Sequence, residues 1–370
     1  MTQPDRPIFE IRSQAAPSGS LAGIDPRAAR RRFDRAAQYR CASLSASRAE
    51  VQGAPAMLLD QEVAQRMAQR LDWVRIEPAR ILDAGCGGGD GQALLHQRYP
   101  QASWLGVDSS PAMLEWARAK FDGGSVGNSF GNSFVEVRRR ARWQVAFSAG
   151  LQRLRAWLQR RPDTRNRLLC ADISALPLQS SSVGLVWSNL ALSWVHDLPL
   201  GLRELHRVLE PGGLLTFSSY GPDTLKELRA VLNDAGGRGE RAAQQVHPFM
   251  DMHDLGDQLV QTGFAAPVMD MELIHLSWPD AAACLNELHH SGQGNALWQR
   301  PRGLQTPRTW RRLCERLQKE AGDADGRVSL SFEIVYGHAW RGQPRKSGQA
   351  AAQSKVIQFQ ARPGVTGAMS

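Results

Sequence analysis

No apolar run in the sequence approaches the roughly 20 residues that a membrane-spanning helix needs. The N-terminal stretch MTQPDRPIFEIR has acids and prolines where a secretory signal would be apolar. Membrane insertion and secretion are therefore not expected, and the chain reads as cytoplasmic. Cysteine is sparse: Cys41, Cys86, Cys170, Cys284 and Cys314 lie far apart, with no C-x-x-C and no C-x-x-H spacing. That excludes a disulfide scaffold and a zinc ribbon, and no metal site is expected. Charged residues make up only 22% of the 370, against 42% hydrophobic residues and 11 tryptophans, which excludes disorder along the whole length and leaves ample material for a core.

The net charge of +9 suggests nucleic acid until it is divided along the chain. Residues 1–40 carry +4, residues 121–167 carry +7 with 10 arginines, and residues 341–370 carry +5, which leaves −7 for the remainder. The part that builds the core is acidic, so a nucleic-acid-binding core is not expected.

Five short β-like runs follow one another: 79–85, 102–108, 167–172, 183–189 and 213–220. Helical stretches at 90–99, 110–121 and 197–209 separate several of them, the rhythm of a parallel sheet. Two further runs, 267–276 and 328–340, would complete the sheet as an antiparallel pair. The predicted fold is α/β: a doubly wound, mostly parallel sheet with an antiparallel C-terminal strand and helices on both faces. Residues 1–26 read as a flexible leader, 27–340 as the folded domain and 341–370 as a disordered basic tail. Within the domain, 122–167 is an insertion that opens with GGSVGNSFGNSF and continues as a basic amphipathic helix with Trp143, Phe147, Leu151, Leu154 and Leu158 at helical spacing.

The chemistry concentrates at strand ends. The first strand runs into Asp83-Ala84-Gly85-Cys86-Gly87-Gly88-Gly89 directly before a helix, and the second ends in Gly106-Val107-Asp108. Glycines there allow a tight turn and close approach of a ligand to the main chain, and a carboxylate at the next strand end accepts from ribose hydroxyls. Together they describe a Rossmann-like nucleoside crevice. The spacing D-x-G-x-G-x-G departs from the dinucleotide fingerprint G-x-G-x-x-G.

That spacing resembles the first motif of class I S-adenosylmethionine-dependent methyltransferases. The resemblance implies S-adenosylmethionine as cofactor, with Asp83, Gly85, Gly87 and Gly89 in the glycine turn and Asp108 and Ser109 on the ribose side. It also places Asp172 and Ile173 beside the adenine and Asn189 beside the methionyl end. Longer strings, R-F-D-R-A-A-Q-Y (32–39), S-N-L-A-L-S-W (188–194), G-P-D-T-L-K-E-L-R (221–229) and H-P-F (247–249), are similar to the malonyl-acyl-carrier-protein O-methyltransferase family of biotin synthesis. The implied acceptor is the free carboxylate of malonyl-acyl carrier protein, an acidic protein partner, with no nucleic acid and no membrane involved. A carboxylate is ionised at pH 7, so no general base is required and no catalytic residue is assigned. Tyr39 and Arg229 are the candidates for holding the acceptor. Two departures from the family pattern are the insertion and Arg40, which follows Tyr39 where an acid is expected. A related enzyme acting on a small molecule or a protein arginine, or a non-catalytic cofactor-binding assembly factor, stays open.

Each candidate also has a bland reading. Asp108, Ser109 or Ser110 can cap the helix starting at Pro111, Asp172 can be a turn residue, and Asn189 can be a structural amide. Tyr39 can be a packing tyrosine. His247 and His253 read as structural, the latter in a helix capped by Asp251, and Cys86 as a packing residue.

Overall fold

The computed structural model describes residues 23–46, 55–121, 167–235, 246–300 and 306–343. Most of the expected leader, the insertion with its Trp143-to-Leu158 face, and the tail beyond Gln343 lie outside the described residues. Among those described, no helix is long and apolar enough to cross a membrane.

The elements follow the strand-helix rhythm: α1 (Pro26–Ala46), α2 (Pro55–Arg70), β1 (Arg80–Ala84), α3 (Gly91–Arg98), β2 (Ser103–Asp108), α4 (Pro111–Phe121) and β3 (Arg167–Cys170). Then come β4 (Val183–Ser188), α5 (Leu198–Val208), β5 (Leu209–Tyr220), α6 (Lys226–Ala235), α7 (Met252–Thr262), β6 (Phe264–Trp278), α8 (Ala281–His290), α9 (Pro307–Ala321) and β7 (Val328–Arg341). The strands form one seven-stranded sheet in the order β3-β2-β1-β4-β5-β7-β6. Pairings from β3 through β5 are parallel, and β7 lies antiparallel to both β5 and β6.

Local chemistry sets the helix ends. Asp197 accepts the Leu200 N–H at 2.9 Å to start α5, with Pro199 in its first turn. Asp251 accepts the His253 N–H at 2.7 Å to start α7, as the sequence predicts, and Gly263 ends that helix in the left-handed region. The edge strand β6 carries Pro267 where its register shifts between Ala265 and Val268, a position at which a missing N–H costs no ladder bond.

Successive strand residues point to opposite faces and feed two cores. Ile81, Leu185, Leu214 and Phe332 pack with Val63 and Met67 of α2 and with Trp187 and Trp278. Leu82, Val186 and Leu215 pack with Leu202 and Leu205 of α5 and Leu255 and Leu259 of α7. From β1 the chain winds outward through β2 and β3, then returns to place β4 on the other side of β1. This reversal opens a crevice at the carboxyl ends of β1 and β4, where ligands bind in such sheets.

Candidate active site

A cavity of about 430 Å³ occupies that crevice. The ends of β1, β2, β3 and β4 supply its floor, and α1 covers it with Pro26, Arg27, Ala29, Arg30, Phe33 and Arg40. Of the residues singled out from the sequence, Asp83, Gly85, Gly87, Asp108, Ser109, Asp172, Ile173 and Asn189 line it. Gly89, Tyr39 and Arg229 are not among its lining residues.

The glycine turn is stitched to β2 by the N–H groups of Gly85 and Cys86, which donate to Val107 O at 2.8 and 3.0 Å. Its glycines serve different ends. A Cβ on Gly85 (φ +78) would stand 2.2 Å from the Ala191 methyl, so this glycine admits the loop after β4. A Cβ on Gly87 (φ +50) would meet nothing within 4 Å, so here the bare main chain faces open cavity. Gly89 abuts the Phe121 ring and serves packing.

Asp108 ties the glycine turn to the start of α4. Its Oδ2 accepts the Gly87 N–H at 2.9 Å, and its Oδ1 accepts the Ser110 N–H at 2.7 Å. The hydroxyl that caps α4 belongs to Ser110, whose Oγ accepts the Met113 N–H at 3.2 Å and donates to Asp34 Oδ1 of α1 at 2.7 Å. Burial raises the Asp108 carboxyl to about 6, against the pull of the Ser110 and Gly87 amides. Asp83 is more extreme. It is 2% exposed, and its Oδ2 has no hydrogen-bond partner among the described residues. Burial lifts it to about 8, opposed by the Trp104 indole and reinforced by Asp90 and Asp108.

At the end of β4, Asn189 braces the turn. Its Oδ1 accepts from Ser218 Oγ at 2.7 Å and its Nδ2 donates to Asp60 O at 2.9 Å, while Leu190 takes the left-handed region (φ +52). At the end of β3, Asp172 accepts the Ser174 N–H at 2.8 Å to start a 3-10 turn, and Ile173 in that turn joins the α5 core while touching the cavity.

Tyr39 is half exposed and stacks on His290 with centroids 4.0 Å apart. Arg229 folds back on its own turn, donating to Pro222 O at 2.8 Å and Thr224 O at 3.2 Å. His247 is buried against Trp194, its Nε2 3.1 Å from Ser193 O, and burial lowers it to about 4, so it is neutral at pH 7. His253 is exposed and paired with Asp251, while burial raises the Cys86 thiol well above its ordinary value, as suits a packing residue.

Sequence reasoning missed part of the wall. Arg40 is buried and lies 3.6 Å from Asp60, whose Oδ1 also accepts from Gln293 Nε2 at 3.1 Å. Asp60 rises to about 6, chiefly through burial, with Arg40 opposing. The only signal was the unexpected charge of Arg40; nothing in the α2 sequence aims Asp60 at a ligand. The finished cavity is lined by Asp60, Asp83, Asp90, Asp108 and Asp172, so its interior is acidic.

Comparison with known proteins extends these observations over most of the chain. A methyltransferase-domain family matches residues 56–266. Malonyl-[acyl-carrier protein] O-methyltransferase of Gallionella capsiferriformans is 38% identical over 333 residues, 90% of this chain and 97% of the relative. The protein of the same name from Laribacter hongkongensis is 40% identical over 307 residues, covering 82% and 90%. The fold, the D-x-G-x-G-x-G turn and identity at this level over most of the chain agree, and the chain belongs to the malonyl-[acyl-carrier protein] O-methyltransferase family, whose cofactor is S-adenosylmethionine.

Proposed function

We propose that this protein transfers a methyl group from S-adenosylmethionine to the free carboxylate of a malonyl group carried on acyl carrier protein, giving the methyl ester. The observation that carries the reading is similarity over nearly the full length to relatives bearing that name. The acidic crevice at the switch point supports it.

The residues present fit the cofactor. Asp83 holds a buried carboxylate oxygen without a partner among the described residues, suited to the ammonium of the methionyl part. Asp108 has lone pairs left beyond those used by Gly87 and Ser110, suited to the ribose hydroxyls. Gly87 offers main chain with open space before it, and Ile173 an apolar side chain for the adenine. Asp60, Asp90, Asp108 and Asp172 outnumber Arg27, Arg30 and Arg40 in the wall even with Asp83 protonated, which suits a ligand with net positive charge.

Bound there, S-adenosylmethionine supplies an electrophilic methyl on a sulfonium centre. The protein's contribution is orientation and dryness. The turn after β4, braced by Asn189 and Ser218, and the α1 cover hold donor and acceptor in one water-poor space. The malonyl carboxylate is the nucleophile and is already ionised, so a neutral His247 engaged with Ser193 O leaves no missing step. The reading is tested by following S-adenosylhomocysteine release with malonyl- and acetyl-acyl carrier protein. Turnover is expected with the first alone; equal turnover of both excludes carboxyl methylation.

A further inference from the structure

The face of α1 turned away from the core carries Arg27, Arg30, Arg31 and Arg35, all exposed. Arg27, Arg31 and Arg35 recur every four residues in a stripe about 12 Å long, and Arg30, three residues after Arg27, flanks it. Arg27 and Arg30 also line the cavity, so the stripe begins at its mouth. Asp34, the one acid in α1, bonds Ser110 Oγ at 2.7 Å and lies 4.0 Å from Arg30, which leaves the stripe strongly positive. Beneath it the cations crowd. Arg32 is pushed below its ordinary value by burial and by Arg35 and Arg300, and His289 of α8 is lowered by burial, by His290 and by Arg35 and Arg32.

Charge is thus segregated: acidic inside the cavity, basic at its rim. The inner carboxylates suit a cationic cofactor. They do not account for a row of exposed arginines that repel one another at the entrance, an arrangement that lowers stability and raises the capture rate of a polyanion. Two features argue against a merely solvated face. The stripe adjoins the opening, and the other basic helix, α9 with Arg308, Arg311, Arg312 and Lys319 exposed, also carries Glu315 and Glu320 and contributes no residue to the cavity.

We infer that the arginine stripe of α1 is the docking surface for the acidic acyl carrier protein, presenting the carrier so that its acyl arm enters between α1 and the strand ends. The inference rests on the reading that the acceptor is carrier-linked malonate. Rim charges of this kind act mainly on encounter. They govern the carrier-linked acceptor and leave a small free acceptor largely unaffected.

The test compares malonyl-acyl carrier protein with the malonyl thioester of N-acetylcysteamine in the full-length protein. Arg31→Glu/Arg35→Glu is expected to lower kcat/KM for the carrier-linked acceptor roughly 10- to 100-fold more than for the free thioester at low salt. Arg308→Glu/Arg312→Glu, the same charge change on α9, is expected to leave that ratio within about twofold. If the α1 variant folds poorly, wild type carries the test: salt should depress turnover of the carrier-linked acceptor and spare the free thioester. An unchanged ratio in the α1 variant, an equal effect from the α9 variant, or matching salt responses would overturn the assignment. So would salt-sensitive binding of duplex DNA that is lost with Arg31 and Arg35, because the face would then belong to nucleic acid. Failure of wild type to methylate either malonyl acceptor would instead sink the functional reading on which the inference rests.

Discussion

Replacing Asp83 by Asn tests the electrostatics of the cavity in a single experiment. In the ligand-free protein the Asp83 carboxyl titrates near 8 because it is buried beside Asp90 and Asp108 with one oxygen unpartnered. At pH 7 it is therefore mostly protonated, whereas pairing with the ammonium of S-adenosylmethionine, as proposed, requires the ionised form. Binding at pH 7 should therefore release protons, mostly from Asp83 and a smaller share from Asp108, which burial raises less far. Calorimetry in two buffers of different ionisation enthalpy reads that release directly. In Asp83→Asn most of that release should be lost, and affinity should drop roughly 10- to 150-fold, the worth of a charge-assisted contact of about 1.5 to 3 kcal/mol. Stability carries the same signature. A carboxyl raised in the fold binds more protons there than in the unfolded chain, so its contribution is complete below about pH 4 and is lost as pH rises through about 8. The ligand-free melting temperature should decline across that window in wild type and less steeply in the variant. Equal proton release in both proteins would refute the assignment of Asp83 to the cofactor.

Four other substitutions separate binding from scaffolding. Asp108→Ala removes a carboxylate that also ties Gly87 to Ser110, so cofactor affinity measured by calorimetry should fall about 10- to 150-fold with the protein still folded; unchanged affinity would exclude it from the site. Gly87→Ala puts a methyl into open cavity at a strain of about 1 to 2 kcal/mol, lowering affinity with little change in Tm, whereas Gly85→Ala drives a methyl into Ala191 and should lower Tm by several degrees. Arg229→Ala loses its bonds to Pro222 O and Thr224 O and should cost about 1 to 3 kcal/mol of stability in thermal melts, with acceptor KM changed less than about twofold; a large rise in KM would return Arg229 to the acceptor site.

The order of elements was legible because strands buried on both faces read as unbroken apolar runs and the helices between them announce their ends. RILDA, SWLGVD and VGLVWS are the strands expected, and Asp251 caps the helix it was expected to cap. The strand-end lining of the cavity was legible for a related reason: its residues follow strand ends directly, so position along the chain fixes position in space. What the helices and loops bring to the site was not. Arg229 ends a distinctive string, yet its side chain turns back to hold its own loop, a choice set by carbonyls that only the folded turn brings together. Arg40, Asp60 and Gln293 meet from two helices and the loop after α8, far apart in sequence, and no local spacing signals such a meeting. Asp34 looked like one acid in an arginine-rich helix, but its reach to Ser110 ties that helix to the residue beside Asp108.

Carboxyl methylation is tested most directly by intact-mass analysis of malonyl-acyl carrier protein after incubation with the protein and S-adenosylmethionine, followed by fragmentation of the acyl arm. One added methyl is expected, located on the malonyl carboxylate and removed by mild alkali, with no addition to acetyl-acyl carrier protein. A methyl on any other atom, the same gain on the acetyl form, or no gain in a protein that binds S-adenosylmethionine would contradict the assignment.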